Sequence, residues 1–269
     1  MALIAFTGAP QGGATTLALA TFFAWPRSVL LVDADLDVGP IRGGLLQTHG
    51  AQQGLPQAAA AARQGILEQE LPKQCVQLSN DGITRLLLPG VTDPGQGNGL
   101  EYSWDAIAAA LSSLANSHMD VLVDLGRSGT SGRQSALARA ADSTLFVVES
   151  TLANLVSARA RLQRAAADLT VAGVTAPLGL VVVDGPRAAA NRYPAEQIAR
   201  ELHTELLSTI PEDTRTAAWL RTGGNPPRGA AGSVLLRAGR SLSTALTQRA
   251  NERKALIGLP ASGPVGSHV

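Results

Sequence analysis

The sequence predicts an α/β fold, a mainly parallel twisted sheet of seven or eight strands with helices on both faces. Two observations carry it. Short runs of Val, Leu and Ile alternate with helical-period segments from one end of the chain to the other. Several of those runs, around residues 28–33, 120–125 and 178–183, are apolar without interruption, as strands buried on both faces are. Helical stretches between the runs imply βαβ crossovers, hence parallel pairing and ligands held at the carboxyl ends of strands.

Taken in order, residues 2–7 form a strand that stops at a glycine-rich turn, and 15–24 continue at helical spacing. A strand at 28–33 precedes short helices at 57–63 and 66–71. Strands at 75–78 and 83–88 flank the turn Ser79-Asn-Asp-Gly82. Residues 94–99, rich in Gly and Pro, read as a loop, and Ser103 as the N-cap of a helix running to 116. The pattern then gives a strand at 120–125, a helix at 134–141, a strand at 144–149 and a helix at 152–169. A strand at 178–183, a helix at 194–203, a strand at 205–210 ended by Pro211 and a helix at 233–256 complete it. Residues 1–256 read as one domain and 257–269 as a disordered tail. No internal repeat is visible.

Composition narrows the function. The chain has 269 residues, 45% hydrophobic and 16% charged, which excludes a wholly disordered protein. Aromatics are 3%, so the core is built from Ala, Val, Leu and Ile; Trp25, Trp104 and Trp219 read as core fillers. Cys75 is the one cysteine, which excludes an internal disulfide and a thiolate zinc cluster, and the four histidines have no metal spacing. No apolar stretch approaches the ~20 residues that span a bilayer, and no basic residue precedes the apolar opening, so the expectation is a cytoplasmic chain.

Net charge is +1, unevenly spread: residues 1–126 carry 5 basic and 11 acidic side chains, residues 127–269 carry 17 and 10. Arginines 159, 161 and 164 share one helix and 237, 240, 249 and 253 the last. They read either as solvated helix faces or as a basic face for DNA.

The chemistry concentrates at the first turn, Gly8-Ala-Pro-Gln-Gly-Gly-Ala-Thr-Thr16. Set against the phosphate-loop pattern G-x-x-x-x-G-K-[ST], it matches at Gly8, Gly13 and Thr15, with Ala14 in the lysine position. Glycines let successive N–H groups turn inward around phosphate oxygens, and the following helix presents its positive end to the same anion. Ala14 keeps those amides and removes an ammonium whose hydrogen bond is worth about 1.5–3 kcal/mol. Asp33 and Asp35 end the second strand and Asp124 ends a later one, with Gly126 two residues on. Carboxylates at strand ends beside such a loop can hold Mg²⁺ waters or orient an attacking water, and a glycine there lets backbone approach a γ-phosphate.

These residues resemble the MinD/ParA group of deviant phosphate-loop ATPases, and within it the CpaE/TadZ-like pilus-assembly and septum-site branch. Gly13-Ala-Thr-Thr16 matches that branch's loop, in which alanine replaces the lysine, and 32–39 is similar to its D-x-D-x-x-x-G segment. Residues 138–149 resemble the segment after the Walker B aspartate, and Thr209-Ile-Pro-Glu-Asp213 the I-P-x-D segment beside the base. The resemblance spans roughly residues 2–250. It implies a nucleotide held by Gly8, Gln11, Gly12, Gly13, Ala14, Thr15, Thr16, Gly126, Asp184 and Pro211. It also implies Mg²⁺ at Thr15, Asp33 and Asp124, partly through water, and Asp35 orienting water.

The chain departs from the group in four places. Ala9 stands where a lysine reaches across the dimer, Pro10 and Gln11 replace glycines, and Asp184 replaces an adenine-reading Asn. Residues 258–269, rich in Gly, Pro and Ser, do not read as an amphipathic membrane-targeting helix, and the expectation is a chain without a receiver-like segment.

The implied function is a positioning or recruitment factor for pilus assembly, secretion or septum placement. It would bind ATP–Mg²⁺ weakly because of Ala14, hydrolyse it slowly or not at all, form a homodimer and be drawn to the pole, septum or inner membrane by partners. Two alternatives stand beside it: a ParA-like partition factor holding nucleoid DNA, and a nucleotide-free scaffold.

Overall fold

The computed structural model describes residues 1–47, 52–79, 82–117, 119–127, 134–171, 178–184 and 192–256. Its frame is eight strands: β1 (Leu3–Gly8), β2 (Val29–Asp33), β3 (Val76–Ser79), β4 (Arg85–Leu88), β5 (Asp120–Asp124), β6 (Ser143–Glu149), β7 (Leu178–Val183) and β8 (Leu206–Ile210). They form one sheet in the order β3-β4-β2-β5-β1-β6-β7-β8, parallel throughout except for the β3/β4 hairpin.

The uninterrupted apolar runs follow from helices covering both faces. Along β1, Ile4 and Phe6 enter one core while Leu3 and Ala5 enter the other; β2 divides the same way. One face is covered by α1 (Ala14–Ala24) and by helices later in the chain. Between β2 and β3 come α2 (Pro40–Gly43), α3 (Leu55–Arg63) and α4 (Leu67–Glu70). The opposite face takes α3, α5 (Trp104–Ser117) and α6 (Ser135–Ala140), extended by α7 (Leu152–Val171) and α8 (Ala195–Glu201). Next come α9 (Thr214–Thr222) and α10 (Val234–Leu256), which sandwich α1 against the sheet. Where α10 crosses α1, a Cβ on Gly239 would stand 2.8 Å from the Ala20 carbonyl, so glycine sets the approach.

Most expected elements are present within one or two residues, and four details differ. Residues 94–99 belong to a 3₁₀ helix, Pro94–Ser103, instead of an open loop. The Asp93 carboxylate accepts from the Gly95 amide at 2.6 Å to start it, and Gly97 and Leu100 are buried. The helix expected at 66–71 ends at Glu70 and tightens into a 3₁₀ turn, since Pro72 has no amide to continue it. Ser103 does precede α5, with its hydroxyl donating to the Ala59 carbonyl at 3.2 Å. Helices α2 and α9 are additional, the latter started by Asp213, whose side chain accepts from the Thr216 amide. The tail at 257–269 and the centre of the Ser79–Gly82 turn lie outside the described residues.

At the amino ends of the strands a buried carboxylate ties the layers together. Asp120 Oδ1 accepts from the Ala2 amide at 2.7 Å, and Oδ2 from Trp25 Nε1 at 2.8 Å and Arg27 Nε at 2.9 Å. Removing one member of such a network strands the others in low dielectric, at about 3–5 kcal/mol. Asp120→Ala should therefore lower the urea midpoint of unfolding, followed by tryptophan fluorescence, by far more than an exposed control such as Asp105→Ala; equal midpoints would contradict it.

Burial also pushes the Cys75 thiol up to about 12, and its Sγ donates to the Leu71 carbonyl at 3.3 Å. Because the thiolate is the nucleophile, iodoacetamide at pH 8 should label Cys75 slowly in the folded protein and rapidly in urea. Equal rates would show an open thiol.

Candidate functional site

The chain runs from β1 outward to β2 on one side and later to β6 on the other, so a crevice opens where β1 ends. The turn that fills it is set by close backbone approach. The Ala9 amide donates to the Val147 carbonyl at 3.1 Å, and the Gly12 amide to the Ala9 carbonyl at 2.9 Å. A Cβ on Gly8 or Gly12 would lie 2.3 or 2.7 Å from that Val147 oxygen. Gly13 takes φ +90 to enter α1, and Gln11 takes φ +61, a left-handed conformation costly for a side-chain-bearing residue.

The first intrahelical bond of α1 runs from the Leu17 amide to the Gly13 carbonyl, so the amides of Ala14, Thr15 and Thr16 precede it and face the crevice end. The Ala14 methyl is packed into the core, and Ala9 is buried in the cluster that holds Phe146 and Val148.

Two hollows of about 370 Å³ each meet at this turn. One is bordered by Ala14, Thr15, Asp35 and Gly126, the other by Val183, Asp184, Ile210, Pro211 and Glu212; Gln11, Gly12, Gly13 and Thr16 border both. The structure thus brings nearly all the sequence-derived residues to one place. Gly8 lies beneath the turn, bordering neither hollow, and Asp33 and Asp124 lie deeper still, 2% and 0% exposed.

Those two aspartates are side by side because Asp33 and Asp124 are paired across β2 and β5. Asp124 accepts from the Thr15 hydroxyl and from the Gly126 amide at 3.1 Å. Asp33 accepts from the amides of Asp35 and Gly90. Burial first, then repulsion by Asp124 and Asp35, raises Asp33 to about 8; burial first, with Asp35 adding, raises Asp124 to about 7. Asp124 Oδ2 and Asp33 Oδ1 are buried with no hydrogen-bond partner among the described residues. Orphaned carboxylate oxygens under a threonine hydroxyl are what a hydrated divalent cation would satisfy, so the donor set fits Mg²⁺ held by Thr15 and, through water, by the aspartates. Among the described residues no cluster of three His, Cys, Asp or Glu would ligate a metal outright.

Gly126 has φ +59, and a Cβ there would stand 2.3 Å from the Asp35 carboxyl carbon. Its glycine thus seats Asp35 as well as leaving the hollow open. Asp35 accepts from the Asp37 amide at 3.0 Å, and Asp37 pairs with Arg127 at 3.0 Å. At the other hollow, Asp184 is paired with Arg192 at 3.1 Å.

Sequence reasoning missed three contributors. Asn154 accepts from the Glu149 amide at 2.9 Å and donates to the Pro10 carbonyl at 2.7 Å, clamping the turn to the end of β6. Gly90 makes room for Asp33, whose carboxylate a Cβ would meet at 2.8 Å. Arg221, on α9, borders both hollows. An asparagine early in a helix after a strand was the one visible signal; the other two depend on packing between segments remote in sequence.

No protein-family pattern and no curated protein sequence matches the chain. Solved structures do. A ParA family ATPase from Chlorobium tepidum TLS superposes with a TM-score of 0.71 at 16% identity, covering 90% of this chain and 97% of that one. The fold is that of the ParA and MinD ATPases. The septum site-determining protein MinD from Pyrococcus horikoshii OT3, solved with Mg-ADP, gives 0.69 at 18% identity over 93% of this chain and 97% of its own. A Cyanothece McdA variant in complex with ATP gives 0.59 at 18% identity, with 97% of each chain covered.

The acidic pair has a measurable cost. A carboxyl raised in the folded state stabilises fully below its unfolded value near 4, and that contribution is lost as pH rises through the folded value. In EDTA, the thermal midpoint should fall between pH 5 and pH 8, and Asp33→Asn should flatten the fall and raise the pH 8 midpoint. A variant melting below the native protein at pH 8 would contradict the crowding of Asp33, Asp124 and Asp35.

Proposed function

We propose that the chain is a MinD/ParA-like nucleotide-binding protein of the CpaE/TadZ-like kind. In this reading it takes ATP with Mg²⁺ in the paired hollows and hydrolyses it slowly or not at all. It acts as a homodimeric positioning or recruitment factor for pilus, secretion or division machinery. One observation carries the reading: a turn leading into the first-turn amides of α1, which precede the bond from Leu17 to Gly13, joins two hollows above a threonine and two buried carboxylates with orphaned oxygens. The Mg-ADP of the MinD structure and the ATP of the McdA complex support the same ligand class.

In this reading the amides of Gly13 to Thr16 receive the phosphate oxygens, Val183 and Pro211 flank the base, and Asp184 accepts from its exocyclic amine. Thr15 and the aspartates hold Mg²⁺, which when bound neutralises charge on the phosphates. In this reading Asp35, half-buried at the edge of the phosphate-side hollow, orients a water. With Ala14 and Ala9 both lacking an ammonium, transition-state charge goes largely unneutralised, which favours binding over turnover.

Pairing with a second copy is supported by Leu152 and Val156, 49% and 70% exposed and one turn apart at the start of α7, beside the Asn154 that clamps the turn. The DNA reading has less support. Arg161, Arg237, Arg240 and Arg253 donate to backbone carbonyls, Arg164 pairs with Asp168 and Arg249 holds Glu205 through two bonds.

Titration with a fluorescent ATP analogue, with mass measured in parallel by light scattering, tests the reading. Saturable binding that needs Mg²⁺, accompanied by doubling of mass, is expected, and Thr15→Ala should weaken the Mg²⁺-dependent binding at least about tenfold. No association at millimolar nucleotide would leave a nucleotide-free scaffold.

A further inference from the structure

Ala14 leaves the turn without the cation that phosphate loops of the common pattern carry. Among the described residues outside the turn and the start of α1, one borders both hollows: Arg221. It sits on the last turn of α9, and the base of its side chain is fixed. Its neighbour Leu220 is fully buried, and Trp219 lies against Phe23 of α1 with ring centroids 5.7 Å apart. A Cβ on Gly44 would stand 1.7 Å from the Arg221 carbonyl, so α2 and α9 touch backbone to backbone there. At its other end, α9 is anchored by Asp213, which accepts from Thr216 and from the Leu235 amide of α10. The residue as a whole is exposed, so the guanidinium reaches solvent from a fixed stem.

Charge around it makes the position stand out. The base-side hollow is bordered by four carboxylates: Glu149, Asp184, Glu212 and Asp213. Asp184 is matched by Arg192 and Asp213 is spent on helix ends, while Glu149 and Glu212 repel each other. Among the described residues bordering this hollow, Arg221 is the one cation. Among the described residues on the phosphate side the other cation is Arg127, held by Asp37. An anion lying along the turn from one hollow to the other passes Arg221.

We propose that Arg221 supplies, from α9, the positive charge missing at Ala14, and so makes this site select nucleoside polyphosphates over monophosphates. The inference rests on the reading that the hollows hold a nucleotide. Guanidinium chemistry suits that role: the group is always charged, presents a planar fork to two phosphate oxygens, and is less strongly hydrated than an ammonium. Coming from a helix packed on α1, it also makes polyphosphate recognition depend on α9 being docked.

The test is titration of ATP, ADP and AMP with Mg²⁺ against the native chain, Arg221→Gln and Arg221→Lys, with thermal midpoints measured alongside. Glutamine keeps most of the stem, so the fold is expected to persist. Arg221→Gln should weaken ATP binding about 10- to 150-fold, weaken ADP binding less, leave AMP unchanged and flatten the salt dependence of ATP binding. Arg221→Lys, which keeps the charge and folds if glutamine does not, should recover part of the ATP affinity and of the salt dependence. Native-like ATP affinity in Arg221→Gln, or equal losses for ATP and AMP, would overturn the assignment. If at the same time the native chain binds ATP and Thr15→Ala does not, the nucleotide reading survives without it. A native chain that binds none of the three overturns both.

Discussion

The carbonyl of Val147 is the fixed point around which the site is built. It receives the Ala9 amide and lies so close to Gly8 and Gly12 that neither could carry a Cβ without displacing it. Because that oxygen belongs to β6, the turn is registered against the sheet instead of hanging from β1 alone. Asn154 reinforces the register from the next helix. What the turn then offers, a row of amides at the start of α1, follows from helix geometry and is indifferent to the side chain at Ala14. The path of the turn is thus independent of the side chain at Ala14, because other atoms hold it together.

Beneath the turn the structure holds an arrangement that is costly on its own. Three carboxylates, from Asp33, Asp35 and Asp124, share a small volume, two of them fully enclosed and each with an oxygen that finds no partner among the described residues. A protein selected for stability alone would replace them with apolar or amide side chains. Retaining them makes sense if a cation arrives with the ligand, which converts repulsion into binding energy and ties the fold's stability to occupancy. The strained left-handed Gln11 belongs to the same pattern of local cost concentrated at the site.

Much of this was legible in the sequence, for identifiable reasons. Strands such as 178–183 were clear because burial on both faces removes polar residues altogether, and the turn because glycine has few other uses at a strand-to-helix junction. Asp33, Asp35 and Asp124 were legible as strand-end residues, although their depth and cross-strand pairing were not, since register is a long-range property. Helix α9 was obscured by its own composition: two arginines and three threonines in nine residues, with Leu220 fully buried, read as polar until α1 and α10 supply the walls. The loop expected at 94–99 failed for the opposite reason, glycine and proline being as compatible with a 3₁₀ coil as with an open turn.

Helix α9 also acts as a ruler. Eight residue steps from Asp213, which borders the base-side hollow, to Arg221, which borders both, span about 12 Å of rigid rise. The two ends cannot be adjusted separately: a one-residue insertion would swing Arg221 by about 100° around the axis and turn it off the crevice. The segment is therefore less tolerant of length change than of substitution at the positions that face solvent.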